Sequence, residues 1–210
     1  MTGQRQTSLA VVFFVMLAVL TACVWSGYTN GFDVQFHGWV LGVLPSGNEI
    51  FWECITFFGS GLAISTLTVL AVVILSLRRK WEDLKYLIFV MVAAAVTEVT
   101  MKWLIHRPRP IEVFTNTLPN SFSFPSGHTI YGTAFYFAMA VIVIPNIKGS
   151  SRVLVWFAAA VISFLIGVSR IFLGVHYLTD VMGGFLVAGF WLTQPWSFSK
   201  NQFIDSLGRS

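Results

Sequence analysis

Residues 57–110 read FFGSGLAISTLTVLAVVILSLRRKWEDLKYLIFVMVAAAVTEVTMKWLIHRPRP. Two apolar runs, near 57–77 and 84–104, are separated by a charged turn that begins Arg78-Arg79-Lys80, and the second is closed by His106-Arg107-Pro108-Arg109-Pro110. Each run is about 20 residues long, the length at which one helix crosses the hydrocarbon layer of a bilayer. The stretch therefore reads as a helical hairpin through a membrane. Working outward, comparable runs lie near 8–25, 129–145, 153–171 and 176–194. The expected fold is an all-α integral membrane protein, with six transmembrane helices forming one bundle and a single domain over 1–210.

Composition agrees. Apolar residues make up 56% of the 210 residues and charged residues 10%, more apolar and less charged than a soluble domain requires. The net charge of +4 reads as topology control, and nucleic acid is not an expected partner. Arg5 precedes the run Ser8 to Trp25 with no small-residue cleavage site, so a retained first helix is expected. Segment 26–56 carries Gly27, Asn30, Gly31, Pro45, Ser46 and Gly47 around the partly apolar Val34 to Leu44, which suggests an outer segment with a short interfacial helix. The two cysteines, Cys23 and Cys54, suggest neither a disulfide framework nor a thiolate metal site, and two buried apolar thiols are expected.

With the amino terminus inside, Arg5, Arg78, Arg79, Lys80, Lys85, Lys148, Arg152, Lys200 and Arg209 lie on the cytoplasmic side, as the positive-inside rule requires. Lys102, Arg107, Arg109 and Arg170 fall on the outer side against that rule. Cations at a membrane boundary are costly unless they reach water or meet a partner, so this outer cluster is a candidate anion site, with phosphate the obvious anion.

Three clusters carry the chemistry. In the first, Lys102 sits on the last turns of the third span, and Pro108 and Pro110 oppose continuation, so Arg109 lies on a loop able to fold back. Arginine offers a bidentate fork and lysine a mobile point charge to the same phosphoryl group, although all four outer cations could equally snorkel to the interface. Glu98, one turn before Lys102, suits an ion pair with it. In the second, Pro125-Ser126-Gly127-His128 reads as a helix start. Ser126 and Gly127 can cradle an oxyanion with free N–H groups beside His128, or His128 can serve merely as a capping group. In the third, Ser169-Arg170 precedes a turn at Gly174, then His176 and Asp180. Four residues apart on a helix, these two share a face, so the carboxylate can fix the imidazole tautomer and free the other ring nitrogen to attack. The bland alternative is a buried hydrogen bond that neutralises two polar groups; Arg170 at the same level favours the first.

Lys102–x6–Arg109–Pro110, Pro125-Ser126-Gly127-His128 and Ser169-Arg170–x5–His176–x3–Asp180 resemble the three signature motifs of the type-2 phosphatidic acid phosphatase superfamily, eleven identities in order. The likeness covers about 55–195 and points to its small bacterial members. It implies that His176 is the nucleophile, His128 the general acid and base, and Asp180 the orienting carboxylate. It also implies that Lys102, Arg109, Ser126, Gly127 and Arg170 bind the phosphoryl oxygens, with no metal and no cofactor. The implied substrate is a membrane lipid phosphate: undecaprenyl diphosphate, phosphatidylglycerophosphate or phosphatidate. The implied setting is a bacterial cytoplasmic membrane, with the active site at the outer face and both termini cytoplasmic. Phe122 and Phe124 flank the site and could touch a hydrocarbon chain or belong to an aromatic belt. Soluble members with a similar anion site, the acid phosphatases and haloperoxidases, are disfavoured by the six apolar runs. A transporter or purely structural membrane protein is the other class, but it should place charges near mid-membrane rather than at one face.

Overall fold

The computed structural model describes residues 2–43, 49–110 and 121–194, with the side chains of 2–5 and of residue 41 left aside. The expected turn residues Pro45, Ser46 and Gly47, and the cytoplasmic cations Lys200 and Arg209, lie outside them, as does the Arg5 side chain. Among the described residues all regular structure is helical: α1 Thr2–Trp25, α2 Asn30–Val43, α3 Glu49–Phe57, α4 Gly61–Leu77, α5 Trp81–Ile105, α6 Gly127–Val143, α7 Ser151–Phe172 and α8 Leu178–Leu192, with a 3-10 turn at Ile144–Asn146.

Among the described residues five stretches are long and apolar enough to cross a membrane: Gln6–Trp25, Glu49–Leu77, Trp81–Ile105, Gly127–Asn146 and Ser151–Phe172. The sixth expected span, 176–194, is a shorter apolar helix of 15 residues, below the length of about 20 that a perpendicular crossing needs. The second span also differs. Its apolar stretch begins at Glu49 rather than near 57, because α3 and α4 follow one another across the break at Phe58 to Ser60, where Ser60 caps α4 by accepting from the Ala63 N–H at 3.2 Å. The outer segment 26–56 is thus two things: α2, and a helix continuing into the second span.

α6 is the axle of the bundle, with 67% of its apolar window buried against 39% or less for the other four. Ile130, Ala134, Ala138 and Val141 pack there with Leu87, Val90 and Ala94 of α5 and Val187 and Ala188 of α8. Small residues allow the backbones to approach, which is how helices associate where water supplies no driving force between them. At Gly184 a Cβ would stand 2.8 Å from the Thr129 Cβ and 3.0 Å from the Ser126 carbonyl, so the start of α8 lies directly on the start of α6. The outer helices turn Val11, Phe14, Val69, Val73, Val96 and Phe164 outward, as a bilayer solvent permits. Cys54 is exposed and Cys23 half-buried, both as free thiols, so the expectation of two buried cysteines is not met.

Candidate active site

Chain direction gathers the motifs. The C-terminal ends of α5 and α7 and the N-terminal ends of α6 and α8 meet at one end of the bundle, while the exposed Arg78, Arg79, Lys80 and Lys148 mark the other. α5 stops at Ile105, its last turn closed by His106 in a left-handed conformation (φ 51°) ahead of the two prolines. The loop then returns over the helix end, where Ser123 N–H donates to the Arg107 carbonyl at 2.8 Å. Between α7 and α8, Gly174 takes φ +71°, a turn that a side chain would resist, and delivers Val175 and His176 to the centre.

His176 is buried at 1% exposure, and its two ring nitrogens face different worlds. Nδ1 lies 3.4 Å from Asp180 Oδ2 and 3.4 Å from Ser123 Oγ; Nε2 lies 3.1 Å from an Arg109 Nη1. A carboxylate on one side and a guanidinium on the other select the tautomer with the proton on Nδ1 and the lone pair on Nε2. Burial, the largest influence, pushes the imidazole down to about 3, against the hydrogen bond and charge of Asp180, which pull upward. It is therefore a neutral base throughout the physiological range. The i,i+4 pairing is present, but not for the helical reason: His176 precedes α8, whose N-cap is Tyr177, and Asp180 reaches back from the third position.

Arg109 is held by its own loop. It donates from Nε to the Ser121 carbonyl at 2.8 Å, from Nη1 to the Val175 carbonyl at 2.8 Å, and from Nη2 to Ser121 Oγ at 3.1 Å. Lys102 donates to the same Ser121 Oγ at 3.3 Å, so the two cations converge as expected, and Lys102 also pairs with Glu98 at 2.7 Å. Glu98 accepts in addition from the Tyr131 hydroxyl at 3.0 Å. Half-buried His128 stands within electrostatic range of Arg170, His176, Lys102 and Arg109. Arg170 is buried and donates to Thr56 Oγ1 at 2.7 Å, while its Nε has no partner among the described residues. Ser126 is the N-cap of α6 by position, but its side chain makes no cap bond: its hydroxyl accepts from Thr129 Oγ1 at 3.1 Å, and its N–H donates to the Asp180 carbonyl at 3.0 Å. All eight candidate residues thus lie at one end of the bundle.

Two further expectations change. Phe124 is fully buried against the α8 backbone at Gly183, so only Phe122, stacked edge-on with His106 and near Trp103, faces outward. Arg107, counted in the outer cation cluster as a candidate anion binder or a snorkelling cation, is neither: it is buried at 6% exposure and donates to Asp180 Oδ1 at 2.7 Å and to Asp33 Oδ2 at 2.6 Å. Burial weakens its charge, but the carboxylates of Asp180 and Asp33 more than offset this and hold its pKa above the ordinary arginine value. Asp33, Ser123 and Thr56 carry no motif signal, and only the fold brings them to the site.

The PAP2 superfamily model matches residues 83–204, more than half of the chain and all three clusters. The chain belongs to the PAP2 superfamily. It is 28% identical over 178 residues to phosphatidylglycerophosphatase B of Bacillus subtilis, covering 83% of this chain and 87% of that protein. Its fold is similar to the crystal structure of a transmembrane PAP2-type phosphatidylglycerolphosphate phosphatase from the same organism, with a TM-score of 0.79 and 26% identity over 87% of this chain and 92% of the other. It also resembles Aquifex aeolicus LpxE in fold, with a TM-score of 0.57 and 23% identity over 84% of this chain and 95% of that one. The PAP2 chain described here is accordingly a membrane-embedded phosphoric-ester hydrolase of the lipid phosphatase kind.

Proposed function

We propose that this PAP2 enzyme removes phosphate from membrane lipids through a phosphohistidine on His176, at the outer face of a six-span bundle in a bacterial cytoplasmic membrane. The observation that carries the reading is the polarisation of His176, with Asp180 at Nδ1 and Arg109 at Nε2. The Nε2 lone pair attacks phosphorus as the lipid P–O bond breaks, and His128 gives a proton to the departing lipid oxygen. Water then breaks the P–N bond, with His128 taking a proton from it, and free phosphate leaves. Lys102, Arg109 and Arg170, with the Ser126 hydroxyl and the Gly127 N–H at the start of α6, hold the phosphoryl oxygens as charge shifts in the transition state; the Ser126 N–H, expected to be free, is taken by the Asp180 carbonyl.

Phosphatidylglycerophosphate, phosphatidate and undecaprenyl diphosphate all present a phosphate at headgroup level above an apolar tail, and we assign a broad specificity that includes undecaprenyl diphosphate. Side-chain cations and N–H groups supply the positive field, so phosphate release from these three lipids in detergent should persist in excess EDTA and be inhibited by orthovanadate, which mimics five-coordinate phosphorus. A strict magnesium requirement, restored on adding the metal back, would contradict the mechanism.

Orientation follows from charge. The turns at 78–80 and 146–152 carry the cations that belong inside, leaving the site outside, with both termini cytoplasmic. In a Cys23→Ala, Cys54→Ala background, Tyr28→Cys, on an exposed turn after α1, should react with an impermeant maleimide in intact spheroplasts. Ser150→Cys should react only after permeabilisation. The reverse pattern would overturn the orientation.

A further inference from the structure

Asp180 has two oxygens, and only one of them serves His176. Oδ2 faces His176 Nδ1 and accepts from Ser123 Oγ and from the Tyr177 N–H at 2.8 Å, whereas Oδ1 is taken by Arg107 Nη1 at 2.7 Å. The second arm of Arg107, Nη2, goes to Asp33 on α2. Thr179 closes the figure: its hydroxyl accepts from Arg107 Nη1 at 2.7 Å and donates to Asp33 Oδ2 at 2.6 Å, and its N–H donates to Asp33 Oδ1 at 3.2 Å. The guanidinium also lies over the Tyr177 ring, 4.5 Å from its centroid. Asp33 and Asp180 are fully buried, and Arg107 is nearly so.

Charge gives this arrangement a consequence. Two carboxylates around one guanidinium leave a surplus negative charge beside an imidazole that becomes cationic as its Nε2 bonds to phosphorus. In a buried setting that surplus stabilises the developing charge, and a group that both neutralises and orients one carboxylate oxygen keeps the other aimed at Nδ1. Arg107 is committed on both arms to buried carboxylates and so is held away from the phosphoryl oxygens.

We propose that Asp33 is a positioning residue for the nucleophile, acting through Arg107 on Asp180 and thereby on His176. α2, the helix outside the motif-bearing core, is on this reading a working part of the site. The inference rests on His176 being the nucleophile.

The test is a double-mutant cycle with dioctanoyl phosphatidate in detergent. Asp33→Asn should lower kcat by about 10- to 100-fold with KM within about 2-fold of wild type, and should cost less than about 3-fold when added to Asp180→Asn. An unchanged kcat, or the same fold-loss in both backgrounds, overturns the inference, since a role confined to holding α2 in place would multiply with the loss of Asp180. Should Asp33→Asn not fold, Arg107→Lys, which keeps the charge and loses the fork, is put through the same cycle with the same expectation. His176→Ala is measured alongside. If it still turns over, the nucleophile assignment fails; if it is dead while Asp33→Asn is unimpaired, the relay alone fails.

Discussion

His176→Ala is expected to lower kcat by at least about 10⁴-fold on every lipid phosphate the enzyme accepts, the scale seen when a covalent nucleophile is removed. No neighbouring group stands in for it. Ser123 Oγ lies on the Nδ1 side, engaged with Asp180, and His128 has the separate proposed role of proton donor to the leaving oxygen. What remains is the proposed phosphate-binding field of Lys102, Arg109 and Arg170, so KM should change far less than kcat and vanadate should still bind. Phosphate release with a soluble short-chain phosphatidate checks this, and near wild-type turnover would remove His176 from the mechanism.

Asp180→Asn should have the next largest effect, a fall in kcat of about 10²- to 10³-fold. The substitution is isosteric but cannot be satisfied. Oδ1 accepts from Arg107, and Oδ2 accepts from the Tyr177 N–H and Ser123. Whichever way the amide is turned, its NH₂ faces a donor, so either the Arg107 bond or the cap of α8 is lost. The imidazole then loses its tautomer and the charge that stabilises it. Steady-state kinetics beside a thermal unfolding curve separate the two losses: a kcat that falls without a matching fall in Tm places the effect in the chemistry.

The candidate site was largely legible in the sequence because its residues are costly at a membrane boundary. Lys102, Arg109, Arg170, His128 and the His176–Asp180 pair stood out against an apolar background, and the proline and glycine punctuation placed them at helix ends. Arg107 is visible in the sequence, but its partners are not. Next to a helix end a cation normally snorkels to water, and nothing local reveals two carboxylates 74 and 73 residues away in sequence. Asp33 sat in a partly apolar segment with no motif, so its partnership with Arg107 and Thr179 is a product of how α2 packs on α7 and α8 through Val40, Ile171 and Val181. The helical argument for His176 and Asp180 reached the right pair by the wrong geometry, since a capped helix start brings i and i+4 together as a continuous helix does. The second span reaches back to Glu49 because α3 joins α4 across Phe58 to Ser60, whereas the sequence reading assigns residues 49–56 to the outer segment.

The proposed covalent bond between phosphorus and Nε2 of His176 can be trapped by rapid-quench labelling. Enzyme mixed with radiolabelled phosphatidate and stopped within one turnover should carry label that survives base, is lost in acid, maps to the peptide containing His176, and is absent from His176→Ala. Label on another residue, or no label under either acid or alkaline quench while turnover proceeds, would contradict it.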